Sequence, residues 1–421
     1  MKNLFRNVVF AAMTAACLFV GRSVLALGFA NPDQDARATG QGEAFVAQAD
    51  DASAAYYNPA GLTQLHGTEI TSGFFLSFPD SRLAGTGSGG EMNTWAKLPQ
   101  FYVATDFGLT NSPWRFALGC DIPFGDAANF SNTGPFRYIV TESMMAVVNI
   151  QPTVAYQVND KLSLGAGVNI YYSEIDQKNQ AYLVPDFGPG TPDGHFHFNG
   201  SGQAIGATAG LMWKVFPELT LGITYHSPFS ISYTGNAQLN LGGSGGVSQG
   251  PAQLAINFPQ SVACGLAWRP IPPWKLEGDV QWTDWATLDK VTIAAPNTAF
   301  NNTSIPFHYQ DSWYYEFGTQ YEIDPHWTVR GGYIYSQNSV PNSGFSPTVP
   351  DSNRQVFSLG LGYAFNPQLC SHPLRVTVDL VYQYSLSQDR NVTIPLGNGT
   401  SQSGTWKSDA SAAGLTTSVN F

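Results

Sequence analysis

Several groupings of chemistry-bearing side chains invite a test. His195-Phe196-His197 offers two imidazoles, but spaced two apart and with no third ligand nearby they make an incomplete metal site. Gly85-Thr86-Gly87-Ser88-Gly89-Gly90 satisfies the spacing of a dinucleotide-binding loop, which requires a strand before it and a helix after it. Glu91-Met92-Asn93-Thr94-Trp95 supplies no helix, so the run is expected to be a loop. Lys275, Glu277 and Asp279 alternate with apolar neighbours and would share one strand face, as a polar row pairing within itself or guiding a solute. A hydrolase would need a Ser activated by a His and oriented by a third group. The seven His and many Ser give no such arrangement by spacing. The expectation is therefore no enzyme, no metal and no cofactor.

The elements that must carry these residues are read from composition and period. Only 12% of the 421 residues are charged, about half of the usual share, while 13% are aromatic and 43 are Gly. A disordered chain would be charged and poor in aromatics. Nineteen Lys and Arg stand against 30 Asp and Glu, the wrong balance for nucleic acid. Lys2, Arg6, the apolar run Val8 to Val20 and Val24-Leu25-Ala26 together resemble a secretory leader, so residues 1–26 are expected to be removed. No later apolar run reaches the roughly 20 residues of a membrane helix. Beyond the leader, Cys120, Cys264 and Cys370 are too few for a disulfide framework and are expected to be buried.

The mature chain has period two. Leu162, Leu164, Ala166, Val168, Ile170 and Tyr172 alternate with Ser163, Gly165, Gly167, Asn169 and Tyr171. Phe357, Leu359, Leu361, Tyr363 and Phe365 alternate with Ser358, Gly360, Gly362 and Ala364. Leu374, Val376, Val378, Leu380, Tyr382 and Tyr384 follow the same rule. Runs of about ten residues cross a bilayer as tilted strands, and strands in lipid must close on themselves. Trp268, Trp274, Trp282, Trp285, Tyr382 and Tyr384 fall toward run ends, as an interfacial girdle would. Asn159-Asp160-Lys161, Phe216-Pro217-Glu218 and Asp324-Pro325-His326 are short turns, whereas 188–202, 242–250 and 336–353 are longer and rich in Gly, Ser and Asn. This reading gives an all-β transmembrane antiparallel barrel over 66–421, of about 12 to 16 strands, in a bacterial outer membrane. The final Phe421 closes an alternating strand, the ending that outer-membrane insertion machinery favours.

Residues 27–65 break the pattern. Asp33, Asp35, Arg37, Glu43, Asp50 and Asp51 crowd among Ala and Gly, as in a disordered extension or a plug in the lumen, and composition favours the extension. However, Ala49-Asp50-Asp51-Ala52-Ser53-Ala54 and Tyr57-Asn58-Pro59-Ala60-Gly61-Leu62 closely resemble the N-terminal hatch of the FadL-type long-chain fatty acid transporters, a family that includes channels for aromatic hydrocarbons. Ile256-Asn257-Phe258-Pro259, Trp282-Thr283-Asp284-Trp285 and Pro350-Asp351-Ser352-Asn353-Arg354 extend the resemblance along the chain.

The resemblance implies a 14-stranded barrel with a hatch at 27–65 inside it. It also implies passive uptake: capture of a fatty acid or hydrocarbon at extracellular loops, transfer to a pocket beside the hatch, and lateral exit into lipid through a strand kink. It assigns Phe29 to the inner pocket, Pro123-Phe124-Gly125 to the kink, and Asp50, Asp51, Asn58, Pro59, Ala60 and Gly61 to the hatch signature. Where a carboxylate-holding Lys is expected, before Asp311, this chain has Gln310. Glu174 lies near another basic position, for which Lys178 is the substitute. These departures leave room for a neutral hydrocarbon. A general porin and a lipid hydrolase of the outer membrane are the rival readings.

Overall fold

The alternating runs become strands of a closed cylinder in the computed structural model, which describes residues 28–85, 90–92, 94–109, 112–183, 188–242, 246–296, 298, 301–369 and 372–421. The leader, residues 86–89 of the Gly-rich run and Cys370 lie outside the described residues. In chain order the strands are β1 (Thr68–Ala84), β2 (Ala96–Thr105), β3 (Trp114–Asn129), β4 (Glu142–Gln157), β5 (Leu162–Ala181) and β6 (Gly194–Phe216). The next are β7 (Leu219–His226, resuming as Phe229–Asn240) and β8 (Val247–Phe258, resuming as Ser261–Ile271), interrupted beside Pro228 and Pro259. Then come β9 (Trp274–Thr283), β10 (Ser312–Glu322), β11 (Trp327–Ser336) and β12 (Arg354–Phe365). Last are β13 (Arg375–Ser387, resuming as Arg390–Pro395) and β14 (Ser401–Asn420). Each strand pairs antiparallel with its successor, and β14 returns to β1 in the register Glu69 with Asn420 through Ala84 with Thr405. The strand count is fourteen.

The two faces settle which solvent surrounds the cylinder. Along β5, Leu164, Val168, Ile170 and Tyr172 are exposed while Asn169 and Ser173 are buried. Along β12, Leu359 is 69% exposed and Ser358 is buried. A soluble sandwich would bury the apolar set, so this inverted arrangement belongs to a wall with lipid outside and a filled, polar interior. Trp268, Trp274, Tyr382 and Tyr384 are outward and exposed, as a girdle requires. Trp285 is not: it is 0% exposed, turned inward on the helical turn Trp285–Thr287. Cys120 is buried as expected, but Cys264 alternates onto the outer face and is exposed.

Residues 28–65 pack inside the cylinder and do not trail from it. Helix α1 (Ala36–Gly40) starts at Asp35, whose side chain accepts from the Arg37 N–H at 2.7 Å. Helix α2 (Ala54–Tyr57) leads to the tighter turn Pro59–Gln64, which the Asn58 side chain caps by accepting from the Ala60 N–H. Small wall residues make room: a Cβ at Gly210 would stand 2.1 Å from the Asn58 side-chain oxygen, and one at Gly332 would stand 2.0 Å from the Gly42 nitrogen. The Lys275, Glu277 and Asp279 row grips this segment in place of the mutual pairing expected. Asp279 accepts from the Phe45 and Val46 N–H groups at 2.9 Å each, Glu277 accepts from Ala47 and Gln48 at 2.5 and 3.2 Å, and Lys275 pairs with Asp50. Carboxylates aimed at successive backbone amides make charge-assisted bonds, stronger than neutral ones.

Candidate functional site

The wall is interrupted at one place beside the N-terminal segment. β2 pairs with β3 only from Phe101 with Cys120 to Thr105 with Phe116. Among the described residues, none pairs with the β3 side of 96–100. β3 turns inward here: its register against β4 slips between Asp121 (opposite Asn149) and Phe124 (opposite Val147), so one extra residue bulges. Pro123 has no amide hydrogen to offer β2 and suits such an interruption. The strand nevertheless continues to Asn129.

In place of β2, the inward part of β3 takes a short partner from the N-terminal segment. Ala30 and Phe124 face each other as an antiparallel bridge, with the Asn31 N–H donating to the Pro123 carbonyl at 2.8 Å and Gly125 N–H donating to the Phe29 carbonyl at 2.7 Å. The side chains of Asn31 and Gln34 both donate to the Ile122 carbonyl at 3.1 Å. Residues 29–34 thereby lie between the interrupted wall and the interior.

Phe124 projects into an aromatic column. Its ring centre lies 5.1 Å from Phe258, 5.7 Å from Phe229 and 6.3 Å from Trp285. Phe229 stacks on Tyr171 at 3.8 Å. Phe29 continues the column toward the long connections, 6.2 Å from both Trp285 and Tyr309 and 6.3 Å from Phe307. Gly28 is required beneath it: with φ of +62° and a Cβ that would stand 2.7 Å from the Trp285 ring, no other residue fits without displacing the indole.

Below the column lies a cavity of about 1360 Å³, its open mouth included, lined by Ala30, Phe124, Tyr171, Phe229, Ile334 and Val356 among others. Its polar margin holds Asp33, Glu43, His226, Tyr314, Glu316 and Arg354. Burial pushes the Asp33 carboxyl up to about 6, against the lowering influence of its hydrogen bond with Glu43 and of Arg354. Burial also holds Glu43 well above the usual carboxylate range, and the neighbouring Asp33 adds to this. Asp50 behaves oppositely: Lys275 and Arg37 overcome its desolvation and hold it well below the usual range.

The residues singled out in the sequence divide into groups. Phe29, Pro123, Phe124 and Gly125 come together at the inward turn of β3. The signature is internal scaffolding: Asp51 accepts from the Ser53 N–H at 2.9 Å, and the Asn58 amide donates to the carbonyls of Val46 and Leu211 at 2.7 and 3.1 Å. A Cβ on Gly61 would stand 2.3 Å from the Ala49 carbonyl oxygen. Ala60 is fully buried, and Pro59 packs against Gly165 and Gly210. Lys178 and Gln310 join neither group. Lys178 shares the outward face with Ile170 and Tyr172, and pairs with Glu142 and Asp176 at 3.0 and 3.5 Å. Gln310 is exposed on a long connection, its side chain donating to the Asn338 carbonyl at 3.3 Å. The sequence reading missed Tyr171, His226, Phe229, Trp285, Tyr309, Tyr314 and Arg354 as lining or roofing residues. An inward parity along their strands was the available signal for Tyr171 and Tyr314.

A lipid-embedded barrel with an internal segment, an apolar cavity and an interrupted wall defines an outer-membrane protein that handles hydrophobic solutes. Residues 17–421 match the family described as "Outer membrane protein transport protein (OMPP1/FadL/TodX)", and the chain belongs to that family. It is 24% identical over 409 residues to the long-chain fatty acid transport protein of Escherichia coli, covering 87% of this chain and 90% of that one. Its fold is similar to that of a Pseudomonas aeruginosa FadL homologue (TM-score 0.83, 20% identity, 94% of this chain and 100% of that chain). It is also similar in fold to the Pseudomonas putida toluene transporter TodX (TM-score 0.68, 18% identity, 91% and 96%). The chain is thus an outer-membrane transport protein for hydrophobic compounds, in a family of channels and not of enzymes.

Proposed function

We propose that the protein takes up long-chain fatty acids or related hydrocarbons passively and releases them sideways into the outer-membrane bilayer. The observation that carries this reading is the interruption between β2 and β3, with Phe124 reaching from it into the apolar cavity. A solute captured among the extracellular loops passes the column of Phe29, Trp285 and Phe124 and enters the cavity. Residues 28–65 act as a hatch that blocks passage straight down the lumen. Displacement of residues 29–31 from β3 then joins the cavity to the gap. Apolar surface gains about 25 cal/mol per Å² on leaving water, so a route into lipid is downhill without an energy source. The receiving partner is outer-membrane lipid, and Phe421 is the terminal aromatic that the insertion machinery engages during assembly.

Cells lacking other uptake systems and expressing this chain are expected to accumulate radiolabelled oleate or toluene, each offered separately. Accumulation of neither would refute the proposal. Large steady conductance of the purified protein in planar bilayers would instead favour a general porin.

A further inference from the structure

Buried guanidinium groups in this barrel are well supplied with acceptors, with one exception. Arg330 donates to Gln320 at 2.8 Å and to Asp379 at 2.6 Å. Arg115 donates to the Leu65 carbonyl at 2.6 Å, and Arg37 lies against Asp50 and Asp51. Arg354, at the start of β12, is only 6% exposed, yet its Nε is buried without an acceptor and no ion pair within 4 Å reaches it among the described residues. It lines the internal cavity. The acids that influence it are Asp351, on the loop above, and Asp33, on the N-terminal segment, neither in direct contact. Asp351 is already engaged by the Ser339 N–H and hydroxyl at 2.8 and 2.9 Å. Asp33 is hydrogen-bonded to Glu43, and burial disfavours charge on both. Glu316, His226 and Tyr314 are the remaining titratable groups of the cavity margin.

A buried cation without a direct partner is costly, and the same geometry is favourable once a carboxylate completes it with two parallel N–H···O bonds. From Arg354 the lining runs through Val356 and Ile334 to Phe229 and Phe124, an apolar path ending at the wall gap. We infer that Arg354 receives the head of a long-chain monocarboxylate in this cavity, with the alkyl tail pointing toward Phe124. The assignment rests on the cavity being the solute site proposed above, and it places the cation on a different wall from Lys178 and Gln310.

The test uses the full-length protein in nonionic detergent, titrated with oleate and with oleyl alcohol, which share a tail and differ in the head. Arg354→Gln is expected to weaken oleate binding by about tenfold or more and oleyl alcohol by less than about twofold, with Arg354→Lys between them. Equal losses for acid and alcohol, or no loss for the acid, would overturn the assignment. Wild-type protein that binds neither ligand would instead refute the cavity reading itself. Should the variants not fold, wild type still decides: oleate labelled at its carboxyl carbon must titrate below its value in detergent alone when bound. A raised titration would show a head buried away from the cation.

Discussion

The pairing of Ala30 with Phe124 can be turned into a reversible lock on the proposed exit. The two flank the Asn31-to-Pro123 and Phe29-to-Gly125 hydrogen bonds, so they form a non-hydrogen-bonded antiparallel pair. Such pairs hold their Cα atoms about 4.5 Å apart, within the range a disulfide spans. Without the lock, releasing residues 29–31 forfeits two backbone hydrogen bonds, about 2 kcal/mol net. Removing Phe29 from its aromatic neighbours adds about 2–3 kcal/mol. The sum, about 4–5 kcal/mol, leaves roughly one molecule in several thousand open at a time, enough for slow transfer and removable by a covalent bond. Ala30→Cys with Phe124→Cys, in a background where Cys120, Cys264 and Cys370 are Ala, should transport solute when reduced. It should lose at least about nine-tenths of that transport when oxidised, since the bond forbids release. Comparing the same protein in both redox states cancels the cost of losing the Phe124 ring. Equal uptake in both states, with the bond verified by mass spectrometry, would refute lateral release through this gate.

Other consequences can be checked on the folded protein. Gly210→Val forces a side chain into Asn58 and Pro59, so the internal segment should seat poorly, with overpacking costing about 1–3 kcal/mol. Faster hydrogen exchange of residues 45–61 and new conductance in planar bilayers would report this. Leu359→Arg places a charge on the outer face and should lower stability in vesicles by about 2–4 kcal/mol, read by reversible urea unfolding; no change would contradict lipid contact there. Because burial raises the Asp33 carboxyl to about 6, the folded segment favours its protonated form. Its stabilising influence is complete below the ordinary carboxylate value and disappears as pH rises through about 6. After correction for intrinsic exchange rates, protection of residues 29–35 should fall between pH 4 and 7 in the wild type and stay level in Asp33→Asn.

Much of this architecture was legible in the sequence because a barrel wall repeats one simple constraint. Leu164, Val168 and Ile170 must meet lipid while Asn169 and Ser173 must not, and a period of two records this without reference to any distant residue. The inward turn of β3 was legible too, since Pro123 cannot serve a ladder on its N–H side. The interior was harder. Composition favoured a free extension for residues 27–65, because their partners are scattered. The clamp at Glu277 and Asp279 and the recesses at Gly210 and Gly332 are distant in sequence and look like ordinary inward positions. Trp285 looked like a girdle residue because it follows a strand end, yet the turn after Thr283 rotates it inward. Arg354 was noticed only within a motif; what sets it apart is the lack of a direct partner, which spacing does not encode.

The seam of the cylinder joins chain positions nearly 350 residues apart, with Thr68 and Phe421 exchanging backbone hydrogen bonds at 2.9 and 3.0 Å. Closure is therefore the last event available to the polypeptide, and whatever occupies the bore must already be there when it happens. A stopper pinned by amides to β9 and wedged against β6 and β11 is not threaded in afterwards through either rim. Biogenesis must wrap the sheet around it, so substitutions that loosen the stopper should also appear as assembly defects.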